Sequence, residues 1–251
     1  MNRDYILETR GLTKEFKGFV AVSDVALKVR RGSIHALIGP NGAGKTTVFN
    51  LLTRFLPVTR GNIWFKGEDI TRERPAQIAR KGIGRSFQIS STFPHMTVLE
   101  NVRVALQRKL RNSFHFWASA KSLAVLDGRA RELLAAVELA DHAEVHAVEL
   151  PYGRKRALEL ATTLAMEPEL LLLDEPTQGM AHEDVGRVVA LIRRVAAHRT
   201  VLMVEHNLSV VEDLCDTITV LARGSVLAEG NYTEVSRNPQ VLEAYVGNVD
   251  T

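Results

Sequence analysis

Only one cysteine, Cys215, occurs in 251 residues, so no internal disulfide can brace the fold, which fits a reducing compartment. No apolar run approaches the roughly 18 residues that cross a bilayer as a helix. The opening Met1-Asn2-Arg3-Asp4-Tyr5 also lacks the apolar stretch of a secretory signal. The expectation is a chain that neither spans a membrane nor is exported by that route. Aromatic residues are sparse at 6%, and no Ser/Gly/Pro linker or internal repeat divides the chain. What is present, 45% hydrophobic and 24% charged residues, excludes collagen-like and disordered classes. At about 150 residues per domain, the length fits one large domain or a core carrying a smaller subdomain. The net charge of +3 permits contact with nucleic acid or an anionic membrane without requiring either. Its distribution is uneven: residues 71 to 131 hold twelve Lys or Arg against three acidic residues, a balance of +9 that leaves −6 elsewhere. One face of the middle section is therefore expected to be basic.

Hydrophobic spacing divides the chain into elements. Ile6-Leu7, Val20 to Val22, and Val25, Leu27 and Val29 at period two predict strands near the start. Ile34 to Ile38 is a short apolar segment of the kind buried on both faces of a sheet. From Thr46 the apolar residues recur at three and four until Pro57, the spacing of a helix. Leu170 to Leu173 leads into a helical Val185 to Val195, and Val201 to Val204 into a helical Leu208 to Leu214. That alternation predicts a mostly parallel sheet covered by helices. Residues 89 to 166 have no strong strand signal, and Ala130 to Leu139 and Lys155 to Met166 are helix-periodic, so a helical subdomain inserted into the core is expected.

Chemistry concentrates where strands meet helices. Gly39-Pro40-Asn41-Gly42-Ala43-Gly44-Lys45-Thr46-Thr47 fits G-x-x-x-x-G-K-[ST], between the expected buried strand and helix, as a phosphate-binding loop requires. Its glycines let backbone N–H groups curl around phosphate oxygens, and the helix start adds partial positive charge worth about 0.3–1 kcal/mol to an anion. Lys45 would reach the β- and γ-phosphates, and Thr46 would offer its hydroxyl to Mg²⁺. Asp174 and Glu175 end an apolar strand, where open α/β sheets bind ligands. Asp174 is positioned to hold Mg²⁺, and Glu175 is a candidate general base, against the alternative of a solvated strand-end acid. His206 emerges after the next strand; a lone histidine there is equally an ordinary surface or core residue. Gln88, at the junction with the helical piece, could contact metal or water. Leu150-Pro151-Tyr152-Gly153-Arg154 precedes a helix whose free N–H groups can receive a second anion. Because the first loop already wraps one triphosphate, this helix start is surplus unless it serves a nucleotide held by another chain; the alternative is an ordinary helix start whose N–H groups meet water.

These motifs, in this order, resemble those of an ATP-binding cassette (ABC) ATPase, and the likeness covers almost the whole chain. The resemblance implies an α/β, P-loop NTPase (RecA-like) core with a mostly parallel sheet, an N-terminal antiparallel β portion and an inserted α-helical subdomain. It implies one nucleotide-binding domain over 1–251, with a catalytic core at 1–88 and 167–251 and a helical subdomain at 89–166. By that likeness Gly39 to Thr47 is the Walker A loop and Gln88 the Q-loop. Leu150 to Arg154 is the signature acting in trans, Leu170 to Asp174 the Walker B strand, Glu175 the catalytic carboxylate and His206 the switch histidine. Phe16, which from sequence alone could equally be core, matches the aromatic that stacks on adenine, and Val22 joins it beside the nucleotide. ATP and Mg²⁺ are the implied cofactors, with Thr46, Gln88 and Asp174 around the metal. Lys45, Gln88, Glu175 and His206 are the implied catalytic set.

Finer runs look like the branched-chain amino acid importer subgroup: GPNGAGKTTVFN from Gly39, Arg85-Ser86-Phe87-Gln88, Tyr152-Gly153, Glu205-His206 and Ala244-Tyr245-Val246-Gly247. The basic aromatic stretch Gln107 to Ser122, with Phe114, Phe116 and Trp117, corresponds to an insertion of that subgroup. It is equally readable as a solvated helical excursion. The resemblance implies a second ABC ATPase subunit, two membrane permease subunits and, indirectly, a periplasmic or extracellular substrate-binding protein, with a peripheral location on the cytoplasmic face of the membrane and no nucleic-acid partner. Urea and short-chain amide importers share these features. Two residues depart from the pattern: Pro151 stands where a serine often donates to the γ-phosphate, and Ala181 where the D-loop usually ends in Asp or Asn. A soluble ABC ATPase acting on nucleic acid or ribosomes, motivated by the basic middle section, usually has two cassettes or a coiled-coil insert, which this chain lacks. A small-molecule P-loop kinase would leave the Leu150 to Arg154 motif without a purpose.

Overall fold

The computed structural model describes residues 4–86, 92–107 and 126–246. These divide into two compact units, one of residues up to Arg85, Glu169–Gln178 and from Ile192 on, the other of Ser86–Pro168 and Gly179–Leu191.

The first unit contains two sheets. The N-terminal one is antiparallel: β1 (Tyr5–Phe16) pairs with β2 (Phe19–Val25), β3 (Lys28–Arg30) and β5 (Arg60–Phe65), and β5 pairs with β6 (Glu68–Asp69). The second sheet has the order β11-β10-β4-β9-β8-β7, from β4 (Ile34–Ile38), β7 (Ile83–Ser86), β8 (Leu170–Asp174), β9 (Thr200–Val204), β10 (Thr217–Ala222) and β11 (Ser225–Gly230). Strands β10, β4, β9 and β8 run parallel, and β11 closes one edge antiparallel to β10. Every residue of β4, β8 and β9 is buried, which is why these segments read as apolar runs rather than as alternation. Each fully buried leucine there contributes about 1.5–3 kcal/mol of burial free energy.

Helix α1 (Lys45–Leu52) sends Val48, Phe49, Leu51 and Leu52 into a core shared with Leu12 and Phe65 of the antiparallel sheet and Leu172 and Leu202 of the parallel one. The apolar spacing predicts helix to Pro57, but α1 ends at Thr53. Arg54 takes a left-handed φ of 61°, which stops the helix while Leu56 and Val58 still pack against the core. Apolar period therefore outlasts the helix because the turn residues are also core residues. Helix α2 (Pro75–Lys81) precedes β7.

The second unit is helical. Helices α3 (Val98–Gln107), α4 (Asp127–Ala136) and α5 (Tyr152–Leu164) pack pairwise on one another. A capping box starts α3: Thr97 Oγ1 accepts the Glu100 N–H at 3.2 Å while Glu100 Oε2 accepts the Thr97 N–H at 2.8 Å. Buried Asn101 ties the preceding loop to α3, accepting from Phe93 N at 2.7 Å and donating to the Phe93 and Thr97 carbonyls. Helix α6 (His182–Ala196) begins in this unit and ends in the first, before β9. Helices α7 (Leu208–Leu214), α8 (Tyr232–Ser236) and α9 (Pro239–Val246) belong to the first unit. Among the described residues no helix is long and apolar enough to cross a membrane.

Candidate functional site

The site begins where β4 gives way to α1. Gly39 has φ 149°, and a Cβ there would lie 2.1 Å from the Leu221 carbonyl oxygen, so only glycine lets the chain leave β4 against β10. Gly44, at φ 100°, caps α1 without a side chain, and a Cβ on it would meet the Ala21 carbonyl at 2.8 Å. The backbone N–H groups opening α1 thus receive no side-chain cap, which is what an anion-binding helix start requires. Asn41, Gly42 and Thr46 are exposed, Thr47 is half-buried and Ala43 is buried beneath the loop, its carbonyl accepting the Gly224 N–H at 3.1 Å. Lys45 is buried and folds back onto its own loop, donating from Nζ to the Gly39 and Pro40 carbonyls at 2.7 and 2.9 Å. Burial lowers its pKa, and the nearby Glu175 charge opposes that shift.

Strands β8 and β9 deliver the acidic half. Glu175 leaves β8 with a left-handed φ of 48°, a conformation unfavourable to a residue with a Cβ, and its N–H donates to the Val204 carbonyl at 2.9 Å. Its Oε1 lies 2.8 Å from His206 Nε2, with the carboxylate side chain 9% exposed and the imidazole 40%. The structure therefore joins two residues that are 31 positions apart in sequence.

Asp174 also has a partner that sequence reasoning missed. Arg85, at the end of β7, donates to Asp174 Oδ2 at 2.6 Å, to Asn50 Oδ1 at 2.7 Å and to Thr53 Oγ1 at 3.4 Å, and lies over the Phe49 ring. Both members of the ion pair are buried. The other oxygen, Asp174 Oδ1, is buried and has no hydrogen-bond partner among the described residues. An orphaned carboxylate oxygen, with a threonine hydroxyl opening α1, fits the few protein oxygens that Mg²⁺ takes when phosphates and waters complete its shell. Among the described residues no group of three His, Cys, Asp or Glu forms a metal cage of its own.

Glu205 is a second residue whose role the sequence did not reveal. It is 2% exposed, and its carboxylate accepts from Thr177 N and Oγ1 with one oxygen, and from His206 N at 2.7 Å and Asn207 N at 3.1 Å with the other. The Glu205-His206 pair was visible as a motif, but a buried acceptor is not legible from residue type.

The remaining sequence candidates are distributed as follows. Phe16 is on the surface at 41% exposure, paired in register with the exposed Phe19, and Lys14 Nζ lies 4.9 Å from its ring centroid. Val22 is fully buried, its Cγ2 close to Gly44, so it backs the Gly39 to Thr47 loop from the core. Tyr245 of α9 has its pKa raised by burial, opposed by a hydrogen bond with the Gly39 backbone. In the helical unit Pro151 caps α5 with no side-chain bond to offer, Leu150 is buried, Gly153 is half-buried, and Tyr152 and Arg154 face outward. Arg156 donates to the Tyr152 hydroxyl at 3.0 Å and pairs with Glu159 at 2.9 Å. Gln88 and most of the 107–122 stretch lie outside the described residues.

Sequence and structure both find relatives. Residues 22–178 match the ABC transporter family, and residues 225–251 match a branched-chain amino acid ATP-binding cassette transporter family. The high-affinity branched-chain amino acid transport ATP-binding protein BraF of Pseudomonas aeruginosa is 39% identical over 249 residues, covering 96% of this chain and 98% of its own. The corresponding protein LivG of Escherichia coli K12 is 37% identical over 251 residues, with the same coverage. A nucleotide-free ATP-binding cassette from an ABC transporter superposes with a TM-score of 0.83 at 29% identity, covering 96% of this chain and 98% of that one. The ADP conformation of MJ1267, an ATP-binding cassette of an ABC transporter, gives 0.84 at 28% identity, covering 97% and 99%. With a glycine cradle ending in Lys45 and Thr46, and strand-end acids beside it, the chain belongs to the ABC transporter family and is one of its ATP-hydrolysing cassettes.

Proposed function

We propose that this cassette powers an importer of branched-chain or related amino acids, from the cytoplasmic face of the membrane, by closing with a second cassette on two Mg·ATP. The observation that carries the catalytic part is the Glu175–His206 contact of 2.8 Å at the ends of adjacent parallel strands. The substrate class is supported by the family match of residues 225–251 and by the transport named for BraF and LivG.

In this reading the N–H groups of Gly42 to Thr47 and the Lys45 ammonium hold the β- and γ-phosphates, with Asn41 at the rim and Phe16 under the adenine. Lys45 must exchange its two neutral loop carbonyls for phosphate oxygens, a swap that is favoured because the new acceptors carry negative charge opposite the ammonium. Mg²⁺, held by Thr46 and Asp174, would neutralise charge on the phosphates. Glu175 takes a proton from the attacking water as its oxygen bonds to the γ-phosphorus, and the bond from that phosphorus to the β–γ bridging oxygen breaks, releasing ADP. His206 orients Glu175 and contacts the γ-phosphate. Such catalysis is mostly positioning and electrostatics. Leu150, Pro151, Tyr152, Gly153 and Arg154 receive the nucleotide of the partner cassette through the start of α5. With Pro151 lacking a hydroxyl, backbone N–H groups make that contact.

The test is Glu175→Gln. It should bind ATP as the wild type does while releasing phosphate at least about a hundredfold more slowly, the lower end of general-base effects. Wild-type turnover by that variant removes Glu175 from the role. In vesicles carrying the assembled transporter, ATP-dependent uptake of labelled leucine that unlabelled valine or isoleucine competes with, and urea does not, supports the substrate class; the reverse pattern overturns it.

A further inference from the structure

We propose that Glu205 is a positioning residue that locks the exit of β9 to the exit of β8 and thereby sets the Glu175–His206 pair. The inference rests on the reading of that pair given above.

The geometry is that of a clamp. One carboxylate oxygen accepts the backbone N–H and hydroxyl of Thr177, two residues beyond Glu175, while the other accepts the backbone N–H groups of His206 and Asn207. A carboxylate 2% exposed is expensive to bury unless its lone pairs are matched, and here hydrogen-bond donors match both oxygens. No cation among the described residues forms an ion pair with Glu205. The burial is therefore offset by donors contributed by two loops, and separating the loops would expose that cost. The effect of Thr177 and Glu205 is on where a nearby residue of each loop points: His206 follows Glu205 directly, and Glu175 lies two residues before Thr177 in a turn closed by its backbone carbonyl, which accepts the Gln178 N–H at 3.1 Å.

An amide at this position cannot do the same work. Glu205→Gln keeps one acceptor oxygen but turns two N–H donors of its own toward N–H donors of the backbone, so one side of the clamp opens. The His206 imidazole then loses its fixed relation to Glu175, and turnover should suffer while the nucleotide cradle, built on another strand, should not.

The experiment compares wild type, Glu205→Gln and Thr177→Val, with folding checked by circular dichroism. For Glu205→Gln the phosphate-release kcat should fall about tenfold or more, while KM and the dissociation constant for ATP stay within about twofold. Thr177→Val, which removes only the hydroxyl donor, should lower kcat in the same direction by a smaller factor and serves if Glu205→Gln does not fold. In protein labelled with ¹⁵N-histidine, the His206 Nε2 resonance, identified by its loss in His206→Ala, should move in the same direction in Glu205→Gln and in Glu175→Gln. A folded Glu205→Gln or Thr177→Val with unchanged kcat and an unmoved His206 resonance overturns the proposal, even if it melts earlier. So does a rise in the ATP dissociation constant that accounts for the whole loss of activity. If instead Glu175→Gln turns over normally, the reading of the pair fails and not the clamp alone.

Discussion

Replacing Arg85 by methionine would keep most of the apolar stem over Phe49 and remove the charge from the most buried ion pair described above. Arg85 and Asp174 are 7% and 2% exposed and 2.6 Å apart, and the guanidinium also serves Asn50 at 2.7 Å. Because Asp174 Oδ1 has no partner among the described residues, loss of Arg85 leaves both oxygens of a buried carboxylate without a donor from them. Removing one member of such a pair costs about 3–5 kcal/mol, since the remaining charge stays desolvated. Urea unfolding at neutral pH, with chelator and no nucleotide, should register that loss for Arg85→Met. Asp174→Asn in the same background should restore part of it, giving a coupling of about 0.5–3 kcal/mol in the double-mutant cycle. If Arg85→Met costs less than about 1 kcal/mol, or the two substitutions add within about 0.5 kcal/mol, the pair is not what holds β7 to β8 at the site.

Two further outcomes follow from buried titratable groups. Burial lowers the His35 pKa from 6.5 to about 4, and its Nε2 lies 2.8 Å from Thr219 Oγ1, which donates to Glu229. The unfolded chain therefore takes up a proton that the folded one refuses between pH 6.5 and about 4. Stability from the neutral ring is complete above that window and lost as pH falls through it, by about 3 kcal/mol in total. Urea stability measured across this range should fall more steeply for wild type than for His35→Gln, and parallel curves would refute the assignment. Cys215, half-buried beside Met203, has its thiol pushed up to about 12 by burial and nearby acids. A maleimide at mildly alkaline pH should leave it unmodified until urea unfolds the protein; stoichiometric labelling of the native chain would show the thiolate is accessible.

Much of the site was legible in the residues because its chemistry is local. A phosphate-binding motif is defined by glycines, a lysine and a threonine within one turn between a strand and a helix, so the candidate Gly39 to Thr47 stands out as a single run. Strand β4 was equally readable, since all of its residues are buried and its apolar run carries no alternation to misread. Strands β10 and β11 gave no such notice, and neither did β5 and β6. Strands β5, β10 and β11 interrupt apolar residues with Thr, Gly, Asn, Ser and Glu, β6 has only two acidic residues, and β5 and β10 are placed by partners far along the chain, on which the short hairpin strands β6 and β11 then pair.

By itself the sequence determined the class of fold, the motifs and their order, because periodicity and close spacing express local backbone geometry. Only the tertiary structure decided that Arg85 neutralises Asp174 across 89 residues, that His206 meets Glu175, and that Glu205 clamps Thr177. Each of these depends on which strands become neighbours in the sheet and on how far water is excluded between them. Neither property belongs to a residue type, since the same carboxylate is a solvated acid at a surface and a structural acceptor once four hydrogen-bond donors converge on it in the interior.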